Sequence, residues 1–277
     1  MGEWFAYDFM QRALLAGVMA GLLCGLVSFF VVLKRLAFVG AGISHSALGG
    51  VAIGVLLGIN PILAATAFCT LVAWAIGLVS RKGELYEDTA IGILFVTAMA
   101  LGIALLSLAV GYYADLFSFL FGSILSVTKT DLVLLGVTGT AVAAFLLLFF
   151  KELLFICFDY EAASAAGIPT GILYYGLLTS LALTVVVTVK ILGIVLASAL
   201  LVMPAATGYE LCKNFRGMLT VAAAHGTIAT AAGLWLSYRL NLPSGATIVL
   251  CAAALFFAAF ILSPYRRAGG RTHSFAA

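Results

Sequence analysis

The chain has 277 residues, 64% of them apolar and 9% charged, with a mean hydropathy of +1.22 and a net charge of +3. That composition excludes an ordinary soluble globular domain, and it points to one integral membrane unit. The small positive balance falls in loops between apolar stretches and implies no nucleic-acid partner.

A helix needs about 20 mostly apolar residues to cross the ~30 Å hydrocarbon layer. Stretches of that kind fall at 9–33, 41–59, 62–79, 89–110, 132–150, 171–189, 191–208, 218–238 and 245–263. They predict an all-α, polytopic bundle of nine transmembrane helices forming a single domain over 1–277. The first stretch runs unbroken from Ala13 to Leu33 without a small-residue cleavage site, so it reads as a retained helix and not a signal peptide. Gly17, Gly21 and Gly25 recur at every fourth position along it, and Gly42, Ser46, Gly50, Gly54 and Gly58 do so along the second stretch. Such columns let helix backbones approach closely where lipid supplies no hydrophobic drive.

His45, flanked by Ser44 and Ser46, lies near the start of the second stretch, and His225 lies about two turns into the eighth. Each imidazole admits two roles, a transient ligand for zinc, manganese or iron, or a hydrogen bond to a neighbouring helix. Glu84, Glu87 and Asp88 precede the fourth stretch and fit helix-start residues, cation ligands or solvated loop charges. The metal candidates are therefore His45, Asp88 and His225. Residues 111–131 hold an apolar core of about a dozen positions, 116–127, which fits a re-entrant or surface-lying helix better than a crossing. Pro204 falls inside the seventh stretch.

Residues 151–170, KELLFICFDYEAASAAGIPT, break the apolar pattern. Asp159 and Glu161 open a run of small helix formers, Ala162 to Ala166, which Gly167 and Pro169 close. The run predicts an isolated helix of about two turns, within 158–168, with an acidic start and a Gly-x-Pro stop. A helix of that kind in a chain built for lipid implies a partner outside the lipid.

Basic residues set the orientation, because positive charge is retained on the cytoplasmic side. With nine spans and the amino terminus outside, ten of fourteen basic residues fall inside: Lys34, Arg35, Arg81, Lys82, Lys151, Lys213, Arg216, Arg266, Arg267 and Arg271. Lys129, Lys190 and Arg239 fall outside, with Arg12 at the start of the first span. The expectation is a cytoplasmic 158–168 helix, an outer-face 116–127 segment and a cytoplasmic tail over 265–277. Cys24, Cys69, Cys157, Cys212 and Cys251 show no metal-pair spacing and read as small apolar filler.

Chemistry is sparse. The nearest Lys-Thr pair, Lys129 and Thr130, has Thr128 where a phosphate-binding loop needs glycine, so the chain is not expected to bind ATP or to be an enzyme. Neither a His-Glu-x-x-His pair nor a Gly-x-Ser-x-Gly elbow occurs. An ion-coupled secondary transporter usually places acidic or basic residues near the midplane, and none stands out here.

Six blocks occur in order: KRLAFVGAGISHSALGGVAIG (34–54), EDTAIGILF (87–95), LFSFLFGSILSV (116–127), FDYEAASAAGIP (158–169), KILGIVLASALLVMPAAT (190–207) and LPSGATIVL (242–250). Together they resemble the membrane permease subunit of the manganese, zinc and iron uptake ABC transporters. The resemblance implies a permease homodimer in the bacterial cytoplasmic membrane, two cytosolic ATP-binding subunits and an external metal-binding protein. It implies a divalent metal ion as transported substrate, with no cofactor bound by this chain. It further implies that Asp159, Glu161, Ala162, Ala165, Gly167 and Ile168 belong to a coupling helix seated in a groove of the ATPase. Family members often carry an acidic residue where this chain has Ala41, and an aspartate where it has Asn241. An importer for another chelated solute is the closest alternative.

Overall fold

The computed structural model describes residues 8–82, 87–108, 122 and 124–263, without the side chains of 81, 82, 87, 88 and 125. The described residues form α-helices and 3-10 turn but no strand. The helices are α1 (Asp8–Leu33), α2 (Ala37–Leu57), α3 (Pro61–Lys82), α4 (Glu87–Leu108), α5 (Lys129–Leu148), α6 (Phe150–Phe158), α7 (Tyr160–Ala165), α8 (Thr170–Leu192), α9 (Ile194–Leu200), α10 (Met203–Leu211), α11 (Phe215–Leu240) and α12 (Ser244–Leu262). A 3-10 turn, Ile124–Ser126, precedes α5. Nine spans long and apolar enough to cross a membrane are found among the described residues, as the hydropathy pattern predicts. The seventh is built from α9 and α10, because the helix breaks at Leu201–Val202 and Pro204 sits in the first turn of α10. A proline there needs no backbone N–H partner.

Long helices run back and forth between two ends of the bundle, and α1, α2 and α8 lie innermost. On α1, a side chain at Gly21 would strike the Gly226 carbonyl of α11, and one at Gly25 would lie 2.6 Å from the Ala222 carbonyl oxygen. Gly17 faces Leu234 and Thr230 of the same helix. On α2, Gly50 and Gly54 face Ala65 and Pro61 of α3. Gly58 departs from that column: it ends α2 with φ of 65°, and no atom lies near its missing side chain. Its role is the left-handed cap that a helix end favours.

Buried hydroxyls within the long helices mostly bond the carbonyl one turn earlier, which satisfies them in a low-dielectric surround. Ser44 and Ser46 donate to the carbonyls of Gly40 and Gly42, and Thr184 and Thr188 to those of Ser180 and Thr184.

The break expected over 151–170 is shorter than its charges suggest. Lys151 and Glu152 ride on α6, which continues the path of α5 beyond Phe149 and buries Leu153 and Ile156. Of the 116–127 segment, Gly122, the 3-10 turn and Val127 are described, and the remainder lies outside the described residues.

Candidate functional site

Two turns into α2, His45 lies on a face that α3 does not cover. Its ring stands edge-on to Phe95 of α4, with centroids 5.1 Å apart. Its Nδ1 lies 3.0 Å from the Ala41 carbonyl oxygen. A carbonyl accepts and cannot donate, so Nδ1 is the donor; in the neutral ring the lone pair then sits on Nε2, a tautomer a metal-ligating imidazole can use. His45 and Ala41 line a cleft of about 300 Å³ between α2 and α4, with Phe38, Gly42, Ile91, Gly92 and Phe95 as the other walls. The cleft is apolar apart from the imidazole, so a cation inside it would be held weakly.

The remaining metal candidates do not converge on His45. Buried on α11, next to the glycine that packs on Gly21, His225 is no part of the cleft, and neither of its ring nitrogens has a hydrogen-bond partner. The hydrogen bond to a neighbouring helix that would give it a plain structural role is therefore not made. The side chain of Asp88, in the first turn of α4, lies outside the described residues, as does all of Glu84. No group of three His, Cys, Asp or Glu side chains that could hold a metal ion occurs among the described residues. Ala41, one of the two departures from the family pattern, lines the cleft directly. Asn241, the other, is the C-cap of α11 with φ of 52°, a conformation asparagine tolerates.

At the end of the bundle where α1 meets α2, α7 stands out from the surface. Asp159 caps it, accepting a hydrogen bond from the Ala162 N–H at 2.9 Å. Gly167, at φ of 84°, lets its own N–H reach the Ser164 carbonyl while the Ile168 N–H reaches that of Ala163. This paired closure needs a left-handed residue, which glycine supplies. Ala163 is fully buried and anchors the helix, whereas Glu161, Ala162 and Ala165 face outward. Next to it, burial pushes the Cys157 thiol up to about 11, against the pull of the Lys34 charge.

At the opposite end, Thr128 and Asp131 form a reciprocal capping box at the start of α5. The same carboxylate pairs with Lys190 at the end of α8. Gly122, which precedes α5 and has φ of 70°, lies against the Leu192–Gly193 backbone, so this end is clasped across α5, α8 and Gly122. By sequence, Lys190 falls among the outer charges with no partner indicated. The Thr-x-x-Asp spacing signals the cap, but the ion pair spans 59 positions and carries no local signal.

The model of the ABC 3 transport family (ABC-3) matches residues 6–263. The chain belongs to that family. The expectation drawn from the six sequence blocks, a permease of the metal-uptake ABC transporters, is the one found. Relatives in the family include a manganese transport system membrane protein, MntC, of Halalkalibacterium halodurans, 41% identical over 95% of this chain and 90% of its own. A manganese import system permease, ScaB, of Streptococcus gordonii is 36% identical over 94% of each chain. Among solved structures, PsaBC from Streptococcus pneumoniae in complex with Fab superposes with a TM-score of 0.85 at 35% identity, covering 94% of each chain. In this chain the first turns of α2 and α4 line the cleft, and α7 projects beside the α1–α2 turn.

Proposed function

We propose that this chain, acting as one permease unit over 1–277, is the membrane path for manganese in an importer driven by separate ATP-binding subunits. The observation that carries the reading is His45, which lines a weakly polar cleft with Nδ1 donating to the Ala41 carbonyl, so that Nε2 is the nitrogen the neutral ring would offer a cation. Zinc and iron suit an imidazole as well, and manganese is favoured by the relatives named for it.

The end carrying α7 faces the cytoplasm in this reading. Lys34, Arg35, Lys151, Lys213 and Arg216 cluster there, which the retention of positive charge on that side favours. The amino terminus is then outside and the carboxy terminus inside the bacterial cytoplasmic membrane. Glu161, Ala162 and Ala165 form the surface offered to the ATP-binding subunit, with Asp159, Gly167 and Ile168 fixing the shape of α7. A second copy of the chain closes the open side of the cleft. In support, the span of α4 buries only 17% of its residues within the chain, which leaves Ile93, Val96 and Ile103 exposed beside the cleft. An external metal-binding protein delivers the ion to the opposite end. ATP-driven movement at α7 then rocks the bundle to open the cleft inward.

The test is uptake by proteoliposomes containing the permease, its ATPase and the external protein, comparing manganese, zinc and iron. ATP-dependent manganese accumulation above the other two is expected. An assembled complex that hydrolyses ATP without moving any of the three metals would overturn the reading.

A further inference from the structure

The turn between α1 and α2 is stiff. The Leu36 N–H bonds the Val31 carbonyl at 2.7 Å and the Arg35 N–H that of Val32 at 3.1 Å, a closure that forces Arg35 to φ of 60°. Leu36 seals it from below, with 1% of its surface exposed. A non-glycine residue in the left-handed region persists only where its surroundings hold it. This corner therefore moves as a body, carrying the first turns of α2. His45 lies eight residues along that helix, about 12 Å at 1.5 Å per residue.

Lys34 joins this corner to the segment bearing α7. Its ammonium donates to the Ile156 carbonyl at 3.3 Å and lies 6.0 Å from the centre of the Tyr160 ring. Ile156 sits in the last turn of α6, where the extended backbone of Asp159 ends the helix and leaves carbonyls without helical partners. A cation at that terminus is favoured by both the hydrogen bond and the helix dipole. One side chain thus spans the junction of α6 and α7 from the junction of α1 and α2. Phe150, stacked on Phe29 and edge-on to Phe30, also ties α6 to α1, but apolar contact has no preferred direction and permits sliding. The Lys34 bond is directional and lies at the corner itself.

We infer that Lys34 is a positioning residue for transport, passing displacement of α7 through the α1–α2 corner to the wall of the His45 cleft. The inference rests on the coupling role proposed for α7. Lys34→Met keeps the stem and removes the charge, and Lys34→Arg restores a cation able to donate. Both are compared with wild type in the reconstituted complex, measuring metal transported and ATP hydrolysed in the same vesicles. Lys34→Met is expected to bind the ATPase and hydrolyse ATP, while metal moved per ATP falls about fivefold or more, the lower end of coupling between sites. Lys34→Arg is expected to recover most of that ratio. An unchanged ratio in Lys34→Met overturns the inference, as does an equal loss in both variants accompanied by a lowered melting temperature. Lys34→Gln gives the same comparison if the methionine variant does not fold.

A cysteine at Glu161, cross-linked to the ATPase, separates the two claims. Failure to cross-link in an active complex removes the coupling reading itself. Cross-linking together with an unchanged Lys34→Met ratio removes Lys34 alone.

Discussion

Along α1, the glycine column brings one helix onto another until backbone meets backbone, and nothing larger than hydrogen fits between Gly21 and Gly226. Along α2 the column divides. Gly50 and Gly54 close on α3 in the same way, while about one and a half to two and a half turns before Gly50 the residues His45, Gly42 and Ala41 form the wall of an open cleft. The spacing of small residues is the same in both helices. What differs is the partner: α11 covers its stretch of α1, whereas α4 closes on α2 at Gly49 and Gly102 and, about three turns earlier along α4, leaves a cleft at Gly92, where a side chain would find no atom within 4 Å. Small residues therefore make a seam or a passage depending on what stands opposite.

The contrast can be broken at the seam first. Gly21→Leu is expected to cost more than about 3 kcal/mol, beyond the usual range for overpacking, because the obstacle is backbone and cannot rotate away. Yield and thermal unfolding in detergent measure it, and a wild-type melting temperature would show that the seam is not tight.

A smaller effect is expected at the clasped end. Asp131→Ala removes the carboxylate's half of the α5 capping box and the partner of Lys190, for a loss of about 1–3 kcal/mol. Lys190→Met is expected to cost less, since Thr128 still satisfies the carboxylate. Equal stability of Asp131→Ala and wild type would mean that this end is held by other contacts.

The smallest change is predicted at the cleft. Gly92→Ala meets no atom and gains helix propensity, so stability should hold or rise by up to about 1 kcal/mol. Gly21→Ala, in the same assay, should fall. If the two alanine variants lose stability equally, the distinction between seam and passage fails.

Much of this architecture is legible in the sequence because lipid imposes a length and a composition on each span. The cap and stop of α7 are local too, written in Asp159 and in Gly167 followed by Pro169. Charge misleads at α6: Lys151 and Glu152 look like the start of a loop, yet Leu153 and Ile156 bury a helix face behind them. Gly58 fits the column by spacing and serves as a cap by conformation, a difference that only φ reveals. The contacts that tie the ends together are not local at all. Lys34 reaches Ile156 across 122 positions and Lys190 reaches Asp131 across 59, and neither pair has a periodicity to betray it. His225 lies at the limit of both approaches, since its burial is clear and its two nitrogens have no partner.

The central claim is that the face of α2 lining the cleft with α4 is the wall past which the metal moves. Metal uptake by reconstituted His45→Ala tests it most directly, alongside the melting temperature and ATPase assembly of the same variant. The account predicts a fall of roughly tenfold or more in manganese uptake, the scale on which metal sites respond to loss of a ligand or its support, with stability and assembly preserved. Wild-type uptake by His45→Ala would contradict it and return His45 to a packing role beside Phe95.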